Sequence, residues 1–300
     1  MSRPDTEILL PARPCPSCDR HEKAALRRGA MTSPALKRHA TDPDGAVGDP
    51  RALQCRGCGL IFLDPVPAEA YETGAYGSDY YAPWQGREEK ARRRLWRRRL
   101  EALARRGARG TLLDVGCGDG LFLEVAQRQG WRCDGIEFSP EGARRAAARL
   151  RRPIAVGDLA TGTILPGPYD VVTLWHVLEH LPEPRPMLAA ARRRLRPGGT
   201  LVVAVPNTDN LPMRAAYRLA RGRPLPLWEP GAREPHVSHF TPATLTAILA
   251  RAGFEVLAVE PDRCALTPAK RLIDAAAAIL SSLGGTLVTD AIAAFARRPA

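Results

Sequence analysis

Residues 111–120 read Thr-Leu-Leu-Asp-Val-Gly-Cys-Gly-Asp-Gly. Leu112, Leu113 and Val115 form a short apolar run of the buried-strand type. Glycine then recurs at every second position, at Gly116, Gly118 and Gly120, before the helical apolar spacing of residues 121–129. Strand, glycine turn and helix are the opening unit of a nucleotide-binding α/β sheet, where missing Cβ atoms let a ligand approach the backbone above the strand's carboxyl end. The dinucleotide fingerprint G-x-G-x-x-G would need a third glycine at position 121, which is Leu121.

Downstream, strand and helix patterns alternate. Strands are predicted at 111–115, 132–137, 153–156, 170–175, 199–205, 254–260 and near 291–296, with helices over 121–129, 140–150, 184–195, 242–252 and 268–283. That alternation predicts an α/β fold with a Rossmann-like, seven-stranded, mostly parallel sheet and helices on both faces. Gly198-Gly199 and Gly253 read as helix C-cap and turn positions. Glu137 closes the second strand, where a carboxylate can accept hydrogen bonds from both hydroxyls of a ribose. Asp158 closes the third, where it can accept from an adenine amino group. Residues 206–241 are a Pro-rich insertion after the fifth strand, expected to roof the ligand-binding edge.

Upstream, four of the seven cysteines fall in two C-x-x-C pairs, Cys15/Cys18 and Cys55/Cys58, the second followed by Gly59. Two such knuckles supply the four soft thiolates of a structural Zn²⁺ site, so residues 1–66 are expected to form a small zinc-ribbon-like module. The stretch containing Asp42, Pro43, Asp44, Gly45, Gly48, Asp49 and Pro50 reads as a loop extension of it. Cys117, Cys133 and Cys264 are unpaired and read as packing residues.

Residues 67–108 connect the two parts. Tyr71, Tyr76, Tyr80, Tyr81 and Trp84 form an aromatic cluster, either a clasp over a ligand or an apolar seal between domains. Residues 88–106 form a helix with Trp96, Leu100 and Leu103 in one stripe and arginine over the rest. It is either a solvated cover on the sheet or a face for RNA or another polyanion.

Asp114, Gly116, Gly118 and Gly120 resemble motif I of the class I S-adenosylmethionine (SAM) methyltransferases, and Glu137 and Asp158 fall at the corresponding later motifs, so the resemblance covers residues 109–300. It implies SAM as cofactor, held by Asp114, Gly116, Cys117, Gly118, Gly120, Glu137, Phe138, Asp158, Leu159 and Trp175, with Asp114 orienting the loop or the methionine ammonium. Residues 175–181, Trp-His-Val-Leu-Glu-His-Leu, resemble the VLEHL segment of small-molecule methyltransferases, including quinone O-methyltransferases. Some relatives carry an acid where this chain has His176, so a catalytic metal does not carry over. The inverted zinc-protease pattern H-x-x-E-H also matches here, but it sits at the fourth strand end of a SAM fold. Glu179 and His180 either cap and pack beneath the cofactor or take part in chemistry. The same strand end lacks the N/D-P-P-aromatic pattern of exocyclic-amino methyltransferases.

Methyl transfer needs an acceptor held in line and, where it is protonated, a base. His236 and His239, in the roof segment before Phe240-Thr241, and His176 are the candidates, the first two alternatively pinning the loop. The layout as a whole resembles bacterial class I methyltransferases with an N-terminal zinc-binding segment, whose acceptors include sugars, quinones and secondary metabolites. The expected function is SAM-dependent methylation of oxygen or carbon on a small molecule. The alternatives are an rRNA or tRNA base methyltransferase and a non-catalytic SAM-binding regulator.

Composition bounds these readings loosely. The 300 residues are 45% hydrophobic and 25% charged, ordinary for a globular chain with a sizeable core. The net charge of +12 is concentrated between Arg87 and Arg106, with ten Arg or Lys against three Glu, and alone decides little about nucleic acid. No apolar leader opens the sequence and no run reaches the roughly 20 apolar residues of a membrane span, so a cytoplasmic protein is expected.

Overall fold

The computed structural model describes residues 13–21, 23–25, 50–67, 76–84, 87–163, 165–229, 234–264 and 268–300. Tyr71 of the aromatic cluster and residues 42–49 of the loop extension lie outside them. In chain order the strands are β1 (Lys23–Ala25), β2 (Arg51–Cys55), β3 (Ile61–Asp64), β4 (Thr111–Val115), β5 (Arg132–Glu137), β6 (Ala155–Val156), β7 (Tyr169–Trp175), β8 (Leu195–Pro206), β9 (Ser238–His239), β10 (Glu255–Pro261) and β11 (Ala291–Arg297). The helices are α1 (Ser78–Tyr81), α2 (Arg87–Arg105), α3 (Leu121–Arg128), α4 (Pro140–Leu150), α5 (Pro184–Arg194), α6 (Leu211–Arg221), α7 (Pro242–Arg251) and α8 (Pro268–Gly284).

The main sheet has seven strands in the order β10-β11-β8-β7-β4-β5-β6. β4 to β8 pair in parallel, and β11 runs antiparallel between β8 and β10. The sheet is therefore seven-stranded and mostly parallel, as expected. The chain builds outward from β4 through β5 to β6, then returns to the other side of β4 with β7. That reversal opens a crevice above the carboxyl ends of β4 and β7, the place where open α/β sheets bind ligands.

Side chains alternate across the sheet with period two. Leu112, Val171, Val202 and Ala204 pack with Leu100 and Leu103 of α2, Phe122 and Leu123 of α3, and Ala143 and Ala146 of α4. Leu113, Val115, Val172, Leu174, Leu201 and Val203 pack on the other face with Leu188 of α5 and Leu245 and Ile248 of α7. Burial of such side chains, at about 1.5–3 kcal/mol each, is what holds the layers together. Caps set where helices start: the Ser139 hydroxyl accepts from Gly142 N at 3.1 Å ahead of Pro140, and Thr241 and Thr244 form a reciprocal capping box.

Two sequence expectations shift. β8 begins at Leu195, immediately after α5, so Gly198 (φ +73°) is not a helix cap but lies in an irregular stretch of the strand, where its pairing with β7 jumps from Tyr169–Leu195 to Val171–Thr200. The insertion at 206–241 is not loop throughout: it contains α6 and β9.

The cysteine segment builds a second sheet, antiparallel and ordered β1-β2-β3-β9. Its last strand comes from the roof insertion: Ile61 pairs with His239 and Phe62 with Ser238. Cys15, Cys55, Leu60 and Phe62 share one apolar cluster with Leu178 and Leu245. Among the described residues no helix is long and apolar enough to cross a membrane.

Candidate active site

A cavity of about 770 Å³ opens in the crevice above β4 and β7. Its first half is the glycine loop. Gly116 (φ +73°) turns the chain out of β4, and a Cβ there would stand 2.6 Å from Val177 Cγ2, so only glycine fits. Asp114, Gly116, Cys117, Gly118, Glu137, Phe138, Asp158, Leu159 and Trp175 all line the cavity. Gly120 does not; it packs against Ala146 of α4, where a Cβ would stand 2.9 Å from the Ala146 backbone.

The acids of this half are buried and differently held. Glu137 accepts from Gly118 N at 2.7 Å and Ser139 N at 2.9 Å, which fixes the loop against β5 and leaves further acceptor capacity on both oxygens. Burial raises its pKa against the pull of these amides. Asp114 accepts from the Thr173 hydroxyl at 2.6 Å, and desolvation pushes its carboxyl up to about 8. Among the described residues this buried, cavity-lining carboxyl has no ion-pair partner. Asp158 caps the following 3-10 turn through Ala160 N at 2.8 Å, and Phe138 leaves 43% of its surface open beside it in the wall.

The basic helix is a wall of the cavity, which its sequence did not reveal. Arg92, Leu95, Trp96 and Arg99 line it. Arg92 donates twice to Asp119 of the glycine loop, at 3.0 and 2.9 Å. Arg99 makes a bidentate pair with Asp262, beyond β10, while stacking between Trp96 at 4.5 Å and Trp175 at 4.3 Å. Arg93 joins Glu89 and Glu124.

The second half holds the imidazoles. His176, at φ +57°, sets Nε2 3.3 Å from Asp262 and Nδ1 3.4 Å from Glu179. Desolvation opposes its charge, but Asp262, Cys264 and Glu179 together raise its pKa well above the ordinary value. Glu179 is 1% exposed, and neither carboxylate oxygen completes a hydrogen bond among the described residues. Burial would raise its pKa, but the contact with His176 and the neighbouring imidazoles hold it at about 2. His180 donates Nδ1–H to Pro235 O at 3.3 Å, leaving Nε2 3.9 Å from Glu179. The His236 ring meets His180 edge to face at 4.9 Å, and burial lowers its pKa to about 4.

His239 is placed elsewhere. It lines a separate cavity of about 110 Å³, not the large one, and burial lowers its pKa to about 3. Tyr76, Tyr80 and Tyr81 all line the cavity, and Tyr81 is also buried against Gly142, where a Cβ would clash with its hydroxyl. Tyr80 donates to Glu234 of the roof, and Ser139 donates to Tyr76 O at 2.8 Å. Trp84 ends the 3-10 turn after α1.

Three donor sets among the described residues could hold a metal, one of them His176, Asp262 and Cys264. Glu179, His180 and His236 place one donor atom each within 4.8 Å of one another. The four cysteine sulfurs also lie within 4.8 Å of one another, with Cys15–Cys58 and Cys18–Cys55 at 3.5 Å. These separations are too long for disulfides, and near the about 3.8 Å expected around a tetrahedral ion with Zn–S bonds of about 2.3 Å. Backbone amides at Arg20 and Leu60 point at Cys18 and Cys58, as in a knuckle. The donors fit zinc.

A doubly wound sheet with one reversed strand, a glycine turn after its first central strand and a cavity over the switch point is the Rossmann-like class that carries adenosyl cofactors. A family profile described as a methyltransferase domain matches residues 87–259, more than half of the chain, and the chain belongs to that family. It is 38% identical over 136 residues to a ubiquinone biosynthesis O-methyltransferase of Xanthomonas campestris pv. campestris, covering 41% of this chain and 53% of that protein. The namesake of Xanthomonas euvesicatoria pv. vesicatoria is 33% identical over 172 residues, covering 53% of this chain and 69% of the relative. The chain thus spans about half the length of the first of these curated relatives. Magnesium protoporphyrin IX methyltransferase of Synechocystis, solved with bound S-adenosylhomocysteine (SAH), superposes with a TM-score of 0.53 at 17% identity, over 75% of this chain and 97% of the other, a likeness of fold.

Proposed function

We propose that the protein is a SAM-dependent methyltransferase acting at oxygen or carbon of a small molecule. The observation that carries this is one continuous cavity with a glycine-loop half, containing Asp114, Glu137 and Asp158, and an imidazole-rich half, containing Glu179, His180 and His236. Bound in the first half, SAM supplies an electrophilic methyl carbon. Asp114 would take its ammonium, Glu137 its ribose hydroxyls, Asp158 the adenine amino group, and Phe138 the face of the base. The names of the Xanthomonas relatives favour an oxygen acceptor.

The protein's own chemistry then lies at the acceptor. His236 is neutral and faces the cavity, so it can take a proton, and the buried carboxylate of Glu179 stabilises the imidazolium that forms. His180, oriented by Pro235 O, completes the proton-accepting set. Tyr76, Tyr80 and the bidentate Arg92 and Arg99 pairs close the walls and exclude water. We infer in the same way that Cys15, Cys18, Cys55 and Cys58 hold one structural zinc, with residues 1–66 as its module and 109–300 as the methyltransferase unit.

Calorimetry with SAH, followed by transfer of radiolabelled methyl from SAM to small-molecule fractions, tests the reading. Binding with transfer to a low-molecular-weight acceptor is expected. SAH binding without transfer to any fraction would favour a regulator, and absence of SAH binding would remove the cofactor assignment.

A further inference from the structure

The smaller cavity is separated from the larger by His236 and Pro206, which line both. Its remaining wall is Asn207, Thr208, Asn210 and Arg214 on one side and Leu225, Pro226, Leu227, Ser238 and His239 on the other. Three features of this wall call for a ligand. No Asp or Glu belongs to it, and Arg214 is half-buried in it with one long contact, Nη1 to Thr208 O at 3.5 Å, and no carboxylate partner among the described residues. Ser238 is 1% and His239 8% exposed, yet Ser238 Oγ and His239 Nε2 have no hydrogen-bond partner among the described residues. Native structures rarely leave such groups unsatisfied, and a half-buried unpaired guanidinium is costlier still. The nearby acid, Asp290, is occupied by Asn210 Nδ2 at 3.0 Å.

We propose that this cavity is an oxyanion subsite, in which Arg214 with Ser238 and His239 binds a carboxylate or phosphoryl substituent of the methyl acceptor. Its volume, about 110 Å³, suits a group of a few heavy atoms and not a second ring system. The guanidinium gives two parallel donors to either oxyanion, and the hydroxyl and neutral imidazole add one each. Leu225, Pro226 and Leu227 shield the pair from bulk water. Because His236 stands in both cavities, an acceptor anchored here would lie with its reactive atom beside the proton-accepting set. Only that last step rests on the methyltransferase reading; the anion site itself does not.

The test uses the full-length protein and two probes, inorganic phosphate and acetate, titrated by calorimetry or thermal shift beside SAH on the same sample. Saturable binding of at least one probe is expected. Arg214→Gln should weaken it about tenfold or more and Arg214→Lys less, the ammonium keeping charge but losing the fork, with SAH affinity unchanged. Arg214 lies on a helix that buries none of its side chains, so its variants should fold. Tighter phosphate than acetate binding assigns a phosphoryl group, and the reverse assigns a carboxylate. No saturable binding of either probe, or equal binding by Arg214→Gln, overturns the subsite. Failure of SAH to bind, with anion binding intact, instead overturns the cofactor assignment alone.

Discussion

Arg92 and Asp119 face each other through two hydrogen bonds of 3.0 and 2.9 Å, joining the arginine-rich helix to the glycine loop. Arg93, Arg99 and Arg106 likewise spend their charge on Glu89 and Glu124, Asp262 and Glu260. What reads in sequence as a basic face is therefore in large part an internal clamp. Arg94, Arg97, Arg98 and Arg105 remain exposed. If each took one phosphate, RNA affinity would fall with log salt at a slope of about −3 to −4. We expect no specific RNA binding at physiological salt and no methyl incorporation into total RNA from labelled SAM. Arg94→Glu with Arg97→Glu should leave SAH affinity unchanged; incorporation into RNA that this double variant abolishes would restore the RNA reading.

A second expectation concerns pH. Asp114 is held near 8 in the fold against about 3.9 in an unfolded chain, so the folded state binds the extra proton between these values. The buried carboxyl thus costs stability as pH rises from about 4 to about 8. Asp114→Asn should raise the Tm of the ligand-free protein, with a gain that grows across that window. It should also weaken SAH, whose ammonium loses its counter-charge. For the same reason SAH binding to the unmodified protein should release a proton at pH 7, readable by calorimetry in buffers of different ionisation enthalpy. A lower Tm at pH 8 together with unchanged affinity would contradict both.

Glu137 is expected to matter for the cofactor and little for the acceptor. Glu137→Ala should cost ~1.5–3 kcal/mol of SAH binding, through stranded ribose hydroxyls and a loosened Gly118 amide. Equal SAH affinity in a folded variant would move the ribose elsewhere.

On the acceptor side, His236→Ala and Glu179→Gln should each lower turnover ~10²–10⁴-fold with SAH affinity nearly unchanged. His239→Ala should act chiefly through acceptor KM, since its ring lies in the smaller cavity. Parallel loss of SAH binding in the first two variants would assign them to the scaffold. An acceptor carbon that is already acidic would need the base least and would shrink both effects.

One equivalent of zinc per chain is expected, lost in Cys55→Ser. Because Ile61 pairs with His239, Leu63 N donates to Val237 O at 2.9 Å and Val237 N to Glu179 O at 2.8 Å, losing the metal should loosen the acceptor wall first. Hydrogen exchange should rise at residues 237–240 before it rises in β4 or β5. A metal-free protein with unchanged exchange there would make the four cysteines mere packing.

The glycine-loop half of the cavity is the more legible in sequence, for a physical reason. Its residues sit at strand ends, where hydrophobic periodicity stops abruptly and glycine or acid follows, so Asp114, Gly116, Glu137 and Asp158 announce themselves. The acceptor half is assembled from segments distant in sequence. Asp262 and Cys264 follow β10 in no pattern, and only the fold brings Asp262 to Arg99 and His176. α6 is hidden in the sequence because Pro212 and Pro-rich flanks mask an amphipathic stretch that buries no side chain. β9 is two residues long and exists only because β3 offers an edge. The H-x-x-E-H run places His176, Glu179 and His180 together in sequence, whereas Asp262, which raises the pKa of His176, lies beyond its reach.

That edge has a consequence for how the chain is made. β3 carries Ile61, Phe62 and Leu63, and emerges from the ribosome early, already paired with β2 on one side. Its other side gains β9 only after the chain from β4 through α6 has been synthesised. Throughout that interval the nascent protein shows an open apolar strand edge, the kind that recruits other chains. Fragments ending before residue 238 should therefore aggregate during expression even though they contain β4 to β8.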